Sequence, residues 1–135
     1  MSVRINRGKV ANPFVAKVEA LSKQDLLACY QCGKCSAGCP MAKYMDILPS
    51  QVIRFSQLGL EDELLKSESI WMCVSCLTCN SRCPKGVRIA QVFEALRQIE
   101  LRNRHDHLEV ENVPREMLST VPPIALIGAM RKFTS

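Results

Sequence analysis

The chain has 135 residues, of which only 5% are aromatic, so it allows one domain with a modest apolar core. Its formal net charge is +5 when the eight cysteines are counted as neutral. The net charge of the protein therefore depends on what the thiols bind. The longest apolar run is 124–130, far short of the roughly 20 residues that a membrane-spanning helix needs.

Residues 1–21 mix basic side chains with apolar ones. Phe14, Val15 and Val18 are apolar enough to need a surface to pack on. We therefore predict a partner-binding arm here, with a flexible start as the alternative. From Ser22 to Asp25 the sequence resembles a capping box, which predicts a short helix from Ser22 to Ala28.

All eight cysteines fall in two copies of the pattern C-x2-C-x2-C-x3-C-P, which end at Pro40 and Pro84. This run is the bacterial ligand pattern for [4Fe–4S] clusters, and the fourth cysteine of each run binds the other cluster. Gly33 and Gly38 give the first loop backbone freedom, whereas the second loop must make the same wrap with ordinary residues. We predict a first cluster on Cys29, Cys32, Cys35 and Cys83, and a second on Cys73, Cys76, Cys79 and Cys39.

Two other uses of the cysteines are less favoured. A disulfide framework suits a small secreted chain, but no signal peptide is evident at the start of this sequence. Structural zinc uses separate C-x2-C pairs, and a tetrahedral ion has no use for a third cysteine two residues further on. Reduced cysteines that bind iron also predict a reducing compartment, most simply the cytoplasm.

The clusters change the charge balance. Each oxidised cluster with four thiolates carries about −2, so two of them lower the formal charge from +5 to about +1. No large positive field then remains to attract a polyanion. We therefore expect no nucleic-acid partner.

Helices are predicted on both sides of the second cysteine run. Val52, Phe55 and Leu58 recur at helical spacing, in a helix that Pro49 opens and Gly59 follows. A second short helix is predicted over 61–66, and a longer one over 89–103.

The two halves of this region repeat. The cysteines of the second run follow those of the first at an offset of 44, and residues 50–55 align with 90–95 at an offset of 40. Such repetition predicts pseudo-twofold symmetry. Because the stretch between the runs shows helical and not alternating periodicity, we predict an all-α fold, the α-helical ferredoxin, over residues 22–103.

Residues 104–135 differ in character. A charged segment with His105 and His107 precedes Pro122-Pro123 and the apolar run 124–130. We interpret the histidines as part of a solvated turn, since no third metal ligand is evident nearby. We predict that residues 104–135 form a C-terminal docking tail, with the apolar run 124–130 as its docking segment.

Large side chains beside the cysteines are predicted to pack around the clusters. Tyr30 and Trp71 are interpreted as insulation and not as electron relays. Met41, Met45 and Met72 are expected to fill the cluster pockets.

The motifs over about residues 20–103 resemble the C subunit of heterodisulfide reductase. The resemblance rests on both cysteine runs, the helix from Gln51 to Gly59 and the Ile70-Trp71-Met72 lead-in. It implies a cytoplasmic oxidoreductase complex in which flavin is bound by the A subunit. The B subunit, with CCG-motif cysteines, would cleave the disulfide of coenzymes M and B. The C subunit would relay single electrons through its two clusters from the A subunit to the B subunit.

No catalytic residue is expected on this chain, because it has no adjacent cysteine pair and no ninth cysteine. The cysteine runs alone also fit iron–sulfur subunits of anaerobic glycerol-3-phosphate or succinate-type dehydrogenases. A free two-cluster ferredoxin that shuttles between enzymes is a further alternative.

Overall fold

The computed structural model describes residues 12–103 and 106–135, and the regular secondary structure in these ranges is helical, without strands. This confirms the predicted all-α class. The chain divides into two compact units, residues 1–97 and 98–135. The α-helices in chain order are α1 Pro13–Ser22, α2 Lys34–Ala37, α3 Pro49–Gln57, α4 Glu61–Leu65, α5 Ser69–Met72, α6 Thr78–Arg82, α7 Ile89–Leu101, α8 Arg115–Thr120 and α9 Pro123–Phe133. Short 3₁₀ helices cover Leu26–Ala28, Ala42–Tyr44 and Val110–Asn112.

Helix α1 lies in the segment that was expected to bind a partner. The Asn12 side chain caps it by accepting a hydrogen bond from the Phe14 amide, 3.1 Å away, and Pro13 occupies the first turn. Phe14 and Val18 are buried in the first unit. These two apolar side chains therefore find their surface within the chain. The partner-binding arm stays a prediction, and residues 1–11 lie outside the described residues.

The predicted helix from Ser22 to Ala28 is wrong. Ser22 is the last residue of α1, and Lys23 leaves the helix in the left-handed conformation at φ 55°. The next helical segment begins only at Leu26, because Asp25 is itself the cap and accepts hydrogen bonds from Leu27 N at 2.9 Å and Ala28 N at 3.3 Å.

Helix α3 is central to the first unit and contacts α1, α2 and α4. Its predicted limits are confirmed, since Pro49 is in the first turn and Gly59, at φ 64°, follows the end. Val52 and Ile53 are fully buried. Helix α4 ends one residue before its predicted limit and α7 two residues before. The apolar pattern therefore located these elements correctly.

The internal repeat appears in the hydrogen bonds that start α3 and α7, the helices that follow the two cysteine runs. Ser36 Oγ accepts from Ser50 N at the start of α3, 2.9 Å away. Asn80 Oδ1 accepts from Ala90 N at the start of α7, 3.4 Å away. The two acceptors, Ser36 and Asn80, differ by the offset of 44, and the two donors, Ser50 and Ala90, differ by the offset of 40. Each helix after a cysteine run is thus tied to the run in the same way, which confirms the pseudo-twofold arrangement.

A buried serine pair and one carboxylate fix the approach to the second cysteine run. Asp46 Oδ1 accepts from Ser67 Oγ at 2.8 Å, Ser69 Oγ at 2.5 Å and the Ser69 amide at 2.9 Å. The last bond satisfies the first backbone N–H of α5. Burial opposes ionisation of Asp46, but the hydrogen bonds from Ser69 and Ser67 outweigh it and hold the carboxyl pKa below its ordinary value. Helix α5 leads directly into Cys73.

We expect Asp46→Ala to lower the free energy of unfolding by about 2 kcal/mol, because it leaves two buried serine hydroxyls without their shared acceptor. Urea unfolding of the cluster-loaded protein measures this. Asp62→Ala, which removes an exposed carboxylate from the first turn of α4, is the matched control and should cost well under about 1 kcal/mol.

The effect of Asp46→Ala should depend on pH. A lowered folded-state pKa stabilises the protein above the unfolded pKa of about 4, and this contribution disappears as the pH falls through the folded value. The stability difference between the parent protein and the variant should therefore narrow in acid. An equal difference at neutral and acidic pH would contradict this role of the carboxylate.

The second unit contains α8 and α9. Phe133 O accepts from His107 N at 2.8 Å and Leu108 N at 3.2 Å, and the His107 and Phe133 rings are 5.7 Å apart. Pro122-Pro123 begins α9. Ile124 and Ile127 on that helix are more than half exposed, and docking by this segment stays a prediction. His105 lies outside the described residues.

None of the helices in the described part of the chain has the length and apolar character needed to cross a membrane.

Candidate iron–sulfur sites

Each cysteine run makes its turn with two residues in the left-handed conformation. In the first run these are Gln31 at φ 63° and Gly33 at φ 76°, and in the second they are Ser75 at φ 53° and Leu77 at φ 62°. The paired positions differ by 44. The second loop therefore makes the wrap with ordinary residues, as expected, although a left-handed residue such as Leu77 costs roughly 1–2 kcal/mol.

A cavity brings together cysteines from both runs. Its lining includes Cys39 from the first run with Cys73, Cys76 and Cys79 from the second. These are the four ligands predicted for the second cluster. Met41 and Met45 also line this cavity, as expected for packing around a cluster, whereas Met72 is not among its lining residues.

The fourth cysteine of the second run lies near the first loop. The pKa of the Tyr30 phenol is raised by its hydrogen bond with Cys32, by burial, and by the charges of Cys32, Cys83 and Cys29. The same phenol therefore senses cysteines of both runs. Helices α2 and α6 pack closely here, since a Cβ on Gly38 would lie 2.5 Å from Arg82 Cδ. This proximity favours Cys83 as the fourth ligand of the first cluster.

The exposed cysteines have surroundings that favour thiolates. Cys32 and Cys76 are the exposed members of their runs. The Lys34 backbone N–H lowers the pKa of Cys32, and the hydroxyl and backbone N–H of Thr78 lower the pKa of Cys76. Thr78 Oγ1 is 3.4 Å from Cys76 Sγ. N–H and O–H groups directed at sulfur are what ligands of an iron–sulfur cluster require.

The third cysteine of each run is more enclosed. Burial raises the pKa of Cys35, and it raises the pKa of Cys79 to about 11, with further contributions from the charges of Cys73 and Cys76. Thiolates in such places need a metal centre to share their negative charge. The donor set therefore fits a cationic iron–sulfur core.

The alternatives to iron–sulfur clusters fit less well. None of the eight cysteines, all of which lie within the described residues, forms a disulfide, so there is no disulfide framework. Among the described residues, which include every cysteine, no three metal-binding side chains converge on a point that could hold a single ion. A zinc site would need four ligands about 2.0–2.3 Å from one ion. A cluster with four irons accepts ligands that stand further apart.

The two aromatic neighbours of the cysteines differ in exposure. Trp71 is buried, in agreement with a packing role. Tyr30 is 57% exposed, and Lys85 Nζ lies 5.8 Å from its ring centroid. Tyr30 therefore contributes to the protein surface beside the first site.

Two buried polar residues were not identified from the sequence. Gln57 Nε2 donates to the carbonyl oxygens of Leu26 and Cys29, at 2.7 and 3.1 Å. Arg97 Nη1 donates to the carbonyl oxygen of Ile70, 2.8 Å away. Both side chains end on the backbone that leads into a cysteine run. The two residues occupy equivalent positions of the repeat, at the offset of 40, and this correspondence is the sequence pattern that could have identified them.

Comparison with known families identifies residues 25–87 as a 4Fe-4S dicluster domain. Together with the helical fold and the eight cysteines, this defines residues 25–87 as an α-helical, ferredoxin-type domain with two [4Fe–4S] clusters.

Curated proteins narrow the relationship. The chain is 41% identical over 91 residues to the iron-sulfur C subunit of the CoB–CoM heterodisulfide reductase of Methanopyrus kandleri, an alignment that covers 67% of this chain and 46% of that protein. It is 34% identical over 93 residues to the C subunit of the H2:CoB-CoM heterodisulfide,ferredoxin reductase of Methanothermobacter marburgensis, with 69% and 50% covered. A third relative, the C subunit of the ferredoxin:CoB-CoM heterodisulfide reductase of Methanosarcina mazei, is 29% identical over 109 residues, with 78% and 67% covered.

The predicted resemblance is confirmed: over 91 to 109 residues the chain is similar to C subunits of heterodisulfide reductase. Both cysteine runs lie within the dicluster match over residues 25–87. The chain spans about half the length of the first two of these relatives.

Proposed function

We propose that this chain is the electron-transfer component of a cytoplasmic heterodisulfide reductase-like complex. It would relay single electrons from a flavin- and iron–sulfur-containing A-like subunit to a B-like subunit with CCG motifs. That B-like subunit would reduce the disulfide of coenzymes M and B or an analogous disulfide. The observation that carries this proposal is the similarity to C subunits, together with the dicluster match that contains both cysteine runs.

The cysteines support a relay and not a substrate site. When bound, each [4Fe–4S] cluster takes up and releases one electron. Two clusters use all eight cysteines as ligands and leave none to act on a substrate. The sulfur ligands of this chain would hold the redox centres, while bond cleavage would take place on a partner.

Both sites reach the surface, as exchange with two partners requires. Cys32 and Cys76, which correspond at the offset of 44, are exposed. Exposed side chains with apolar surface lie close to each of them in the sequence. These are Tyr30 near Cys32, and Val74 and Leu77 near Cys76. Side chains of this kind form the centres of protein interfaces. Each site therefore has an edge on which a partner protein could dock.

Anaerobic purification of the tagged chain from its own cells tests the proposal. We expect about eight irons per chain, EPR signals of two coupled cubanes, and co-purification of a CCG-motif protein with a flavoprotein. Eight irons on a partner-free monomer would favour a ferredoxin shuttle, and a membrane-anchor partner would favour another anaerobic dehydrogenase. Zinc in place of iron would overturn the assignment of the sites.

A further inference from the structure

Gln57 and Arg97 do the same structural task in the two halves of the repeat. Gln57 Nε2 donates to Leu26 O at 2.7 Å, and Arg97 Nη1 donates to Ile70 O at 2.8 Å. The donors differ by 40 and the acceptors by 44, which are the offsets of the repeat. One position therefore carries a neutral amide in the first half and a cation in the second.

The cation of the second half is buried. Arg97 is 2% exposed, and its Nη2 lies 3.5 Å from the hydroxyl of Ser75, which stands between Cys73 and Cys76. Its ion-pair partner, Glu94, has a side chain that is 53% exposed. Solvent screens the carboxylate much more strongly than the guanidinium. The positive end of this ion pair is therefore the buried one, and it lies beside the second cysteine loop.

The first half has the reverse arrangement. The residue equivalent to Glu94 is Arg54, an exposed cation whose Nη1 donates to Gln57 Oε1 at 3.3 Å. Its charge faces water, and the buried member of the pair is neutral. Although the first pair carries more net charge, only the second pair places a charge in the interior, where Coulomb interactions are strongest.

We propose that buried Arg97 raises the reduction potential of the second-loop cluster. Reduction adds one negative charge to a cluster, and a nearby buried cation stabilises the reduced form. The inference rests on the relay proposed above. When both clusters are bound, Arg97 would favour the reduced form at the site of Cys73, Cys76 and Cys79.

Arg97→Gln is the direct test, measured by EPR-monitored redox titration of the purified, cluster-loaded chain. The first half makes the equivalent hydrogen bond with glutamine, so the variant should keep its fold. We expect the second-loop cluster to shift to a lower potential while the first keeps its own. Glu94→Gln should shift the same cluster in the opposite direction, because it removes the opposing charge and keeps Arg97.

Two further variants make the result decisive. Cys76→Ala identifies the second-loop signal by its loss, and Arg54→Gln should leave both potentials almost unchanged because its charge faces water. If Arg97→Gln loses iron, its cluster potential cannot be measured, and the shift in Glu94→Gln then decides whether the inference holds. The inference fails if the charge variants shift neither cluster, shift both alike or shift the second in the wrong direction. Such a failure is distinct from failure of the relay, which appears as missing partner subunits.

Discussion

Replacement of Cys39 by alanine is expected to remove the cluster of the second loop and to leave that of the first. Cys39 shares a cavity with Cys73, Cys76 and Cys79, although its own run begins at Cys29. With one ligand missing, that site would lose its cubane, so the variant should hold about four irons where the parent holds about eight. Iron analysis and EPR of the reduced protein measure both quantities.

Cys83→Ala provides the reciprocal case and should remove the first-loop cluster. Double variants make the ligand exchange unambiguous. Cys39→Ala combined with Cys76→Ala should lose no more iron than either alone, because both residues serve one cluster. Cys39→Ala combined with Cys32→Ala should lose nearly all of it. If the runs do not exchange ligands, the two results would be reversed. Cys39→Ala with Cys32→Ala would then lose one cluster, and Cys39→Ala with Cys76→Ala would lose both.

Local sequence patterns were sufficient for the elements whose determinants are close together in the chain. Pro49 and Gly59 delimit α3 because one is suited to a first helical turn and the other adopts positive φ. The C-x2-C-x2-C-x3-C-P runs likewise predict wrapped loops. The backbone also follows the offset of 44, because Gln31 and Ser75, and likewise Gly33 and Leu77, adopt the left-handed conformation at equivalent positions.

Long-range contacts account for what the sequence did not predict. Gln57 and Arg97 look like ordinary polar residues of amphipathic helices, and only the fold reveals that they reach carbonyl groups 31 and 27 residues away. Asp25 was interpreted as the last residue of a capping box inside a helix from Ser22 to Ala28, whereas its side chain is itself the cap of the segment that begins at Leu26. The burial of Phe14 and Val18 depends equally on partners distant in the sequence.

Removal of the iron is expected to unfold the cysteine loops and to destabilise the whole first unit by several kcal/mol. Helices α2 and α6, with four and five residues, are too short to persist without support. Gln31, Ser75 and Leu77 each hold a left-handed conformation that costs roughly 1–2 kcal/mol. Ligation must offset this strain, since metal binding and folding are coupled in small domains of this kind.

The loss should be uneven along the chain. Helix α3, with Val52 and Ile53 fully buried against apolar neighbours, has a core of its own and should keep part of its amide protection. Hydrogen exchange after oxidative chelation should therefore show the largest loss of protection at residues 29–39 and 73–83. Chelator without oxidant, which leaves the iron in place, is the control. Full protection of both loops in the iron-free protein would mean that the backbone alone maintains the ligand geometry, and that the clusters bind to a preformed site.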